Sequence, residues 1–550
     1  MNVDLNLVEK LVQKVMEQVD ANQELTTAGD WGIFATMDEA INAAEAAQRK
    51  YLSCSMADRA KYIQVIRDVA LKKENLEYMS RATVEETGMG GYEYKITKNI
   101  LAATKTPGVE DLTTEALSGD DGLTLVEYSP FGVIGAITPT TNPTETVICN
   151  SIGMLAAGNS VVFSPHPRAK NVTIFLIKAL NRALAEAGAP ANLIVTVAEP
   201  SIENTNAMMK NPKVRMLVAT GGPSIVKTVL SSGKKAIGAG AGNPPVVVDE
   251  TANIEKAAKD IVDGCSFDNN LPCIAEKEII AVDSIADYLI FNMKKHGAYE
   301  VKDKATIDKL VELVTRDGKG PKTEFVGKSA QYILDKVGIT VGPEIKVILM
   351  EADEFHPFVQ EELMMPILGL VRAKDFEDAV EKAVWLEHGN RHSAHIHSKN
   401  VDRITEYARA MDTAILVKNG PSYAALGFGG EGYTTLTIAT PTGEVLTFTH
   451  SETFEATAYT HFDEGCDMKT ATDTTVHWGT VAVDPRLIPY GTRMFIITND
   501  GEYVYGIAAA EDAGDGNIVG NRIDIWLPTW SECIQFGYRD CTIYLLGPAE

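Results

Sequence analysis

The sequence predicts two α/β units in tandem, followed by a small all-β unit. Three features carry that prediction. An Ala-rich helical stretch is followed, from residue 122 to about 425, by short apolar runs that alternate with helical segments, and the composition changes near residue 445. A chain of 550 residues is more than one hydrophobic core serves, so several units are expected.

In chain order, Val8, Leu11, Val12, Val15 and Val19 recur at helical spacing, with Glu9, Lys10, Gln13, Lys14 and Glu17 opposite. Residues 1–19 therefore read as an amphipathic helix and the polar stretch 20–29 as a linker. Such a helix either packs on its own domain or, set apart by the linker, docks on a partner. From Met37 to about Thr104 the pattern is helical, with Lys and Glu on the exposed faces. Strand character begins at Gly122, with a hairpin expected near 116–130. VVF (161–163), LIVTV (193–197), VRMLVAT (214–220) and PVVVD (245–249) read as buried parallel strands. We place one α/β domain at 30–250 and the second at 251–430, with a junction at 431–449. From Ser451 onward there are sixteen Asp/Glu against five Lys/Arg, and short strands such as GTVAVDP, RMFIIT and CTIYLL lie between turns. A separate β-rich domain at 450–550 follows.

The formal net charge of -25 argues against nucleic acid or an anionic membrane surface as a partner. No uninterrupted apolar stretch is long enough to predict a membrane span, and the N-terminus lacks the pattern of a secretory signal. Seven cysteines without regular spacing predict no disulfide framework and a cytoplasmic, reducing compartment.

Cys273 lies in SFDNNLPCIAEKEII, a small polar approach before a strand-like run, and taken alone it reads as an inert buried thiol. Asn142 in TPTTNPTET follows a strand and offers the amide donor that an oxyanion hole needs. Thr220, Gly221 and Gly222 end another strand and open a helix, where backbone amides can face a phosphate. His388, His392, His395 and His397 follow no common zinc spacing, so no metal is expected. Cys54, Cys149 and Cys265 read as structural.

With EETGMG (85–90), EYSPFGVIG (127–135), SPHPRAK (164–170), TVAEP (196–200), SGKKAIGAGAGNPP (232–245), HPFVQEELMMPIL (356–368), VKNGPSYA (417–424) and TIATPTGE (437–444), the first 444 residues resemble the aldehyde dehydrogenase superfamily. The resemblance is to the coenzyme-A-acylating propionaldehyde and acetaldehyde dehydrogenases of bacterial microcompartments. It implies a Rossmann-like cofactor domain, a catalytic domain and oxidation of a short aldehyde with NAD and coenzyme A. It further implies Cys273 as nucleophile and Asn142 as oxyanion donor. Thr140, Ser164, Pro165, His166, Thr220, Gly221, Gly222 and Gly240 would line the cofactor site, and Glu362 would hold a ribose. Read without the resemblance, Glu362 is an exposed cap residue. Hydrolytic relatives carry a glutamate base where this chain has GAGAGNPP (238–245), so thioester hydrolysis is disfavoured and an external thiol is favoured. Ser164-Pro165-His166 replaces the usual lysine, which leaves NAD against NADP open. The resemblance also implies a homo-oligomer, a lumenal address and a shell-protein contact through residues 1–19.

Past Val445 the chain departs from these relatives. FEATAYT (454–460), GTVAVDPRLIPYGTRMFI (479–496), AAAEDAGDGNIVGNRIDIWLP (508–528) and IQFGYRDCTIYLLG (534–547) resemble the three-aspartate (3D) domain of cell-wall lytic transglycosylases. That implies a double-psi β-barrel, a peptidoglycan ligand and aspartates at Asp484, Asp512 and Asp524, with Asp524 as the acid/base. As bare sequence, Asp484 and Asp512 are turn residues. An active hydrolase or lyase, a glycan-binding module and an inactive tail joined as a chimera all fit. The loss of the relatives' terminal strand weakens the expected oligomer.

Overall fold

The computed structural model describes residues 30–428, 436–439, 445–448, 450–463, 466, 468–500, 503–514 and 518–548. The helix expected at 1–19, the linker at 20–29 and most of the junction lie outside the described residues. Two compact units divide at residues 432 and 433.

In the first unit, four helices (Met37–Tyr51, Met56–Leu71, Lys73–Thr87 and Tyr92–Lys105) form where the sequence predicts them. Thr36 with Glu39, and Ser55 with Asp58, make reciprocal capping boxes that start the first two. Gly88, in the left-handed region at φ 71°, ends the third. The first of them packs on a six-stranded parallel sheet ordered Ile33–Phe34, Ile194–Val197, Ser160–Pro165, Val133–Thr138, Val214–Thr220, Lys235–Ala239, and the other three pack on helices Pro143–Ala156 and Lys170–Glu186, which lie against the same sheet. From Val133–Thr138 the chain adds strands to one side, then returns and adds them to the other. That strand borders a topological switch point, where the carboxyl ends of parallel strands leave a crevice.

The second sheet has seven parallel strands, ordered Ala298–Glu300, Val347–Glu351, Ile367–Ala373, Glu278–Val282, Pro245–Val248, Ser393–His397, Ile415–Lys418. Pro245–Val248 belongs here, between Glu278–Val282 and Ser393–His397, so the domain boundary falls before Pro245 and not at residue 250. The valine run is buried throughout because it lies inside the second sheet, with a paired strand on each side. A hairpin, Glu115–Gly119 with Gly122–Val126, carries no buried residue and exposes Leu117, Leu123 and Leu125.

The second unit is a closed barrel of six strands in the order His450–Tyr459, Arg522–Trp526, Thr480–Ala482, Val504–Asp512, Thr492–Thr498, Arg539–Pro548. Two neighbouring pairs are parallel and the others antiparallel. Phe454 and Ala456, Val481 and Val483, Met494 and Ile496, and Ile523 and Ile525 alternate inward to fill it. This is the small all-β domain expected from residue 450. No described helix is long and apolar enough to cross a membrane.

Candidate active site

Loops at the carboxyl ends of the first sheet's strands line a cavity of about 780 Å³. Thr140 and Asn142 follow Val133–Thr138. Ser164, Pro165 and His166 end Ser160–Pro165, Gly221 and Gly222 follow Val214–Thr220, and Gly240 follows Lys235–Ala239. The second sheet's domain contributes Leu271, Cys273, Thr323, Glu362 and Met364. Every residue singled out in the first unit for catalysis or cofactor binding therefore faces one cavity. Ser164 and Pro165 are buried, and His166 stands exposed at the rim. The Gly221 amide is taken by the Ala239 carbonyl at 3.2 Å, so the donors available from that turn are the amides of Gly222, Ser224 and Ile225, Pro223 having none.

Cys273 sits between a tight turn, Phe267–Asn270, and strand Glu278–Val282. Asp268, Asn269 and Asn270 all have left-handed backbones, at φ 48°, 54° and 65°, which Asp and Asn tolerate better than other L-residues. Their side chains fasten the turn. Asn269 donates to the Gly327 carbonyl at 2.9 Å, and Asn270 donates to the Cys265 and Glu276 carbonyls at 3.1 and 2.9 Å.

Burial pushes the Cys273 thiol above its ordinary value and Glu362 adds to the shift, while Lys277 opposes it. Burial likewise raises Glu362, against Lys277 and the Gly242 amide. Far from an exposed cap, Glu362 is a largely buried carboxyl on the cavity wall. Sequence reasoning missed Lys277, whose ammonium group is held by Asn270 Oδ1 at 2.5 Å and by the Asn270 and Pro272 carbonyls at 3.2 and 3.4 Å. It also missed Glu276, whose carboxyl burial pushes up to about 8 while Ser422 donates to it at 2.8 Å. The only hint in the sequence was the charged triplet EKE directly after the nucleophile segment.

The four histidines disperse. His388 Nε2 lies 3.0 Å from the Gln360 carbonyl, His392 Nδ1 2.6 Å from Ser393 Oγ and His395 Nε2 2.9 Å from the Ile274 carbonyl. Burial pushes His395 down to about 4 and His397 to about 3. Cys265 is fully buried, and Cys54 and Cys149 are outside the cavity lining.

A dinucleotide fits this cavity. The strand ends, the glycine turn, a short helix N-terminus and a buried carboxyl are the groups its phosphates and ribose require, and the volume lies in the range of cofactor sites.

In the barrel, Asp512 and Asp524 pair with Ala482 from the two sides of strand Thr480–Ala482. Asp512 accepts from Tyr459 Oη at 2.7 Å and from the Ala471 amide at 2.9 Å. Asp524 leaves Oδ1 buried without a hydrogen-bond partner among the described residues, and burial pushes its carboxyl up to about 6. Asp484 is held differently. Arg486 grips it at 2.7 and 2.9 Å, the Gly520 amide donates at 3.1 Å, and these contacts hold it far below the usual carboxylate range.

The raised Asp524 has a consequence for stability. Its folded value lies above the ordinary 3.8, so the stabilisation belongs to the protonated form and is lost as pH rises through about 6. A shift of this size is worth up to about 3 kcal/mol. Asp524→Asn is expected to raise the barrel's thermal midpoint at pH 8 and to leave it unchanged near pH 4, as followed by near-ultraviolet circular dichroism.

The sequence model of the aldehyde dehydrogenase family matches residues 21–451, and that of the 3D domain matches 479–547. A propanal dehydrogenase (CoA-propanoylating) of Citrobacter freundii is 47% identical over 80% of this chain and 95% of its own length. A crystal structure of the Rhodopseudomonas palustris propionaldehyde dehydrogenase, with bound CoA and an acylated cysteine, is 68% identical. It covers 76% of this chain and 95% of its own, with a TM-score of 0.72. The propionaldehyde dehydrogenase of the Clostridium phytofermentans fucose utilisation microcompartment is 57% identical, covers 76% of this chain and 95% of its own, and has a TM-score of 0.71.

Proposed function

The chain belongs to the aldehyde dehydrogenase family, and from that premise we propose that it converts a short aldehyde, propanal or acetaldehyde, to its acyl-CoA. The observation that carries this reading is the composition of the cavity wall. Cys273, Asn142 and Glu362 share it, and segment 238–245 contributes Ala239, Gly240 and Ala241 but no carboxylate to activate water.

Cys273, as thiolate, attacks the aldehyde carbon. The Asn142 side-chain amide and the Cys273 backbone N–H donate to the oxygen as it becomes anionic. A nicotinamide dinucleotide, NAD by family precedent, supplies the acceptor for the hydride lost from that carbon. Glu362 would hold a ribose of the dinucleotide, and Ser164, Pro165, His166 and the Thr220–Gly222 turn would border the remainder. The thioester left on Cys273 is then attacked by the thiol of coenzyme A, which releases acyl-CoA and frees Cys273. The relative with bound CoA and an acylated cysteine supports this order.

Formation of NADH or NADPH, followed at 340 nm, is expected to require aldehyde and coenzyme A together. With coenzyme A omitted, the thioester stalls after one turnover. Steady dinucleotide reduction at the same rate without coenzyme A would overturn the acylating reading. The microcompartment relative supports a lumenal address, with residues 1–19 as the shell-protein contact. The exposed leucines of the hairpin support packing against a second copy.

A second reading concerns the barrel. Asp524, its carboxyl pushed up to about 6 by burial beside the hydrogen-bonded Asp512, suits a general acid at a glycosidic bond of peptidoglycan in mildly acidic conditions. Release of muropeptides from isolated cell wall by the full chain, lost in Asp524→Ala, tests it. Tight binding without release would assign the tail as a glycan-binding module.

A further inference from the structure

Four buried charges tie together the two segments that supply the oxyanion donors. Lys95 and Lys98 lie one turn apart on helix Tyr92–Lys105, Glu145 is in the first turn of helix Pro143–Ala156, and Asp268 opens the left-handed turn before Cys273. Asp268 Oδ2 accepts from Lys95 Nζ at 2.9 Å and from Lys98 Nζ at 2.5 Å. Lys98 Nζ also lies 3.3 Å from Glu145 Oε1.

The same ammonium groups grip the residues that begin the second helix. Lys95 donates to the Thr141 carbonyl at 2.6 Å, and Lys98 donates to Asn142 Oδ1. Asp268 Oδ1 accepts from the Gly91 amide at 3.0 Å. That approach requires a glycine at position 90, where a Cβ would stand 2.2 Å from the same oxygen and φ is +77°. One carboxylate thus pins the Cys273 turn, the Thr141 backbone and, through Lys98, the Asn142 side chain. Burial opposes the charge on Lys98, but Asp268 and Glu145 outweigh it and raise its pKa.

The grip on Oδ1 decides which end of the Asn142 amide is free. With its oxygen held by a cation, the amide presents Nδ2. One Nδ2 hydrogen goes to Thr141 Oγ1 at 3.0 Å, and the other remains for a ligand. A left-handed run of three non-glycine residues persists only where its surroundings hold it, and Asp268 is its anchored first member.

We propose that Lys98 and Asp268 are positioning residues, a buried bridge that fixes the Asn142 amide and the Cys273 turn relative to each other so that the oxyanion pocket is set before the aldehyde enters. The inference rests on the roles given above to Cys273 and Asn142.

The test is a double-mutant cycle in the full chain with propanal, NAD and coenzyme A. Lys98→Met is expected to lower kcat roughly 10- to 100-fold, less than loss of an oxyanion donor itself, with KM for propanal changed less than about 3-fold. In the Asn142→Ala background the same substitution is expected to lower kcat by no more than about 3-fold, because the amide that Lys98 grips is gone while Lys95 still holds Asp268 and the Cys273 turn. If Lys98→Met does not fold, Lys98→Met with Glu145→Gln keeps the buried charges balanced, retains the Lys95–Asp268 pair and is expected to show the same loss. Full and independent losses from the two sites would overturn the positioning role and leave the site reading intact. An unchanged kcat in Asn142→Ala alone would sink the site reading and this inference with it.

Discussion

Cys273→Ala is expected to reduce coenzyme-A-dependent NADH formation by about 10⁴-fold or more, at unchanged thermal stability. The effect is this large because, among the described residues, the other sulfurs lining the cavity are the thioethers of Met89, Met209 and Met364. Cys265 cannot stand in, since it is fully buried and its sulfur accepts from Asn270 Nδ2 at 3.3 Å. The wild-type thiol also has a distinctive pH signature. Burial and Glu362 both disfavour the thiolate, so alkylation of Cys273 by iodoacetamide is expected to accelerate with a midpoint above the ordinary thiol value of 9.0. Following the modified peptide by mass spectrometry against pH measures it. A midpoint below 9 would mean that Lys277 outweighs burial.

The second large effect belongs to Asn142. Asn142→Ala is expected to lower kcat about 10²- to 10³-fold while KM for the aldehyde changes little, because the donor acts on charge that develops in the transition state. Asn142→Asp is expected to do at least as much damage despite its equal size. A carboxylate there would pair with Lys98 and direct negative charge at the oxyanion. Steady-state kinetics of both variants separates a lost donor from a lost shape. If Asn142→Asp retained the wild-type rate, the amide would not be the donor.

These expectations draw unequally on sequence and structure. Buried parallel strands announce themselves as apolar runs, which is why 161–163, 193–197 and, although only Val214, Leu217 and Ala219 of it are buried, 214–220 were legible. Lys235–Ala239 was not, because an edge strand with alternating exposure and a glycine lacks that signature. The cavity residues were legible through motifs at strand ends. Lys95 and Lys98 were illegible for a physical reason: a lysine in an Ala-rich helix reads as solvent-facing, and only a partner about 170 positions away makes its burial tolerable. Lys277 and Glu276 were hidden in the same way. In the barrel the three aspartates were visible as a set, but the difference between them was not: Arg486 ion-pairs with Asp484, and burial raises Asp524.

The closure of the barrel bears on how such a chain can arise and change. Six strands that satisfy one another's backbone groups around a ring need no strand borrowed from elsewhere. A module of that kind is portable, since its own strand pairing does not depend on the unit to which it is joined. Selection can then act on the aldehyde chemistry and on Asp524 as separate traits, and drift in one need not be inherited as a defect in the other.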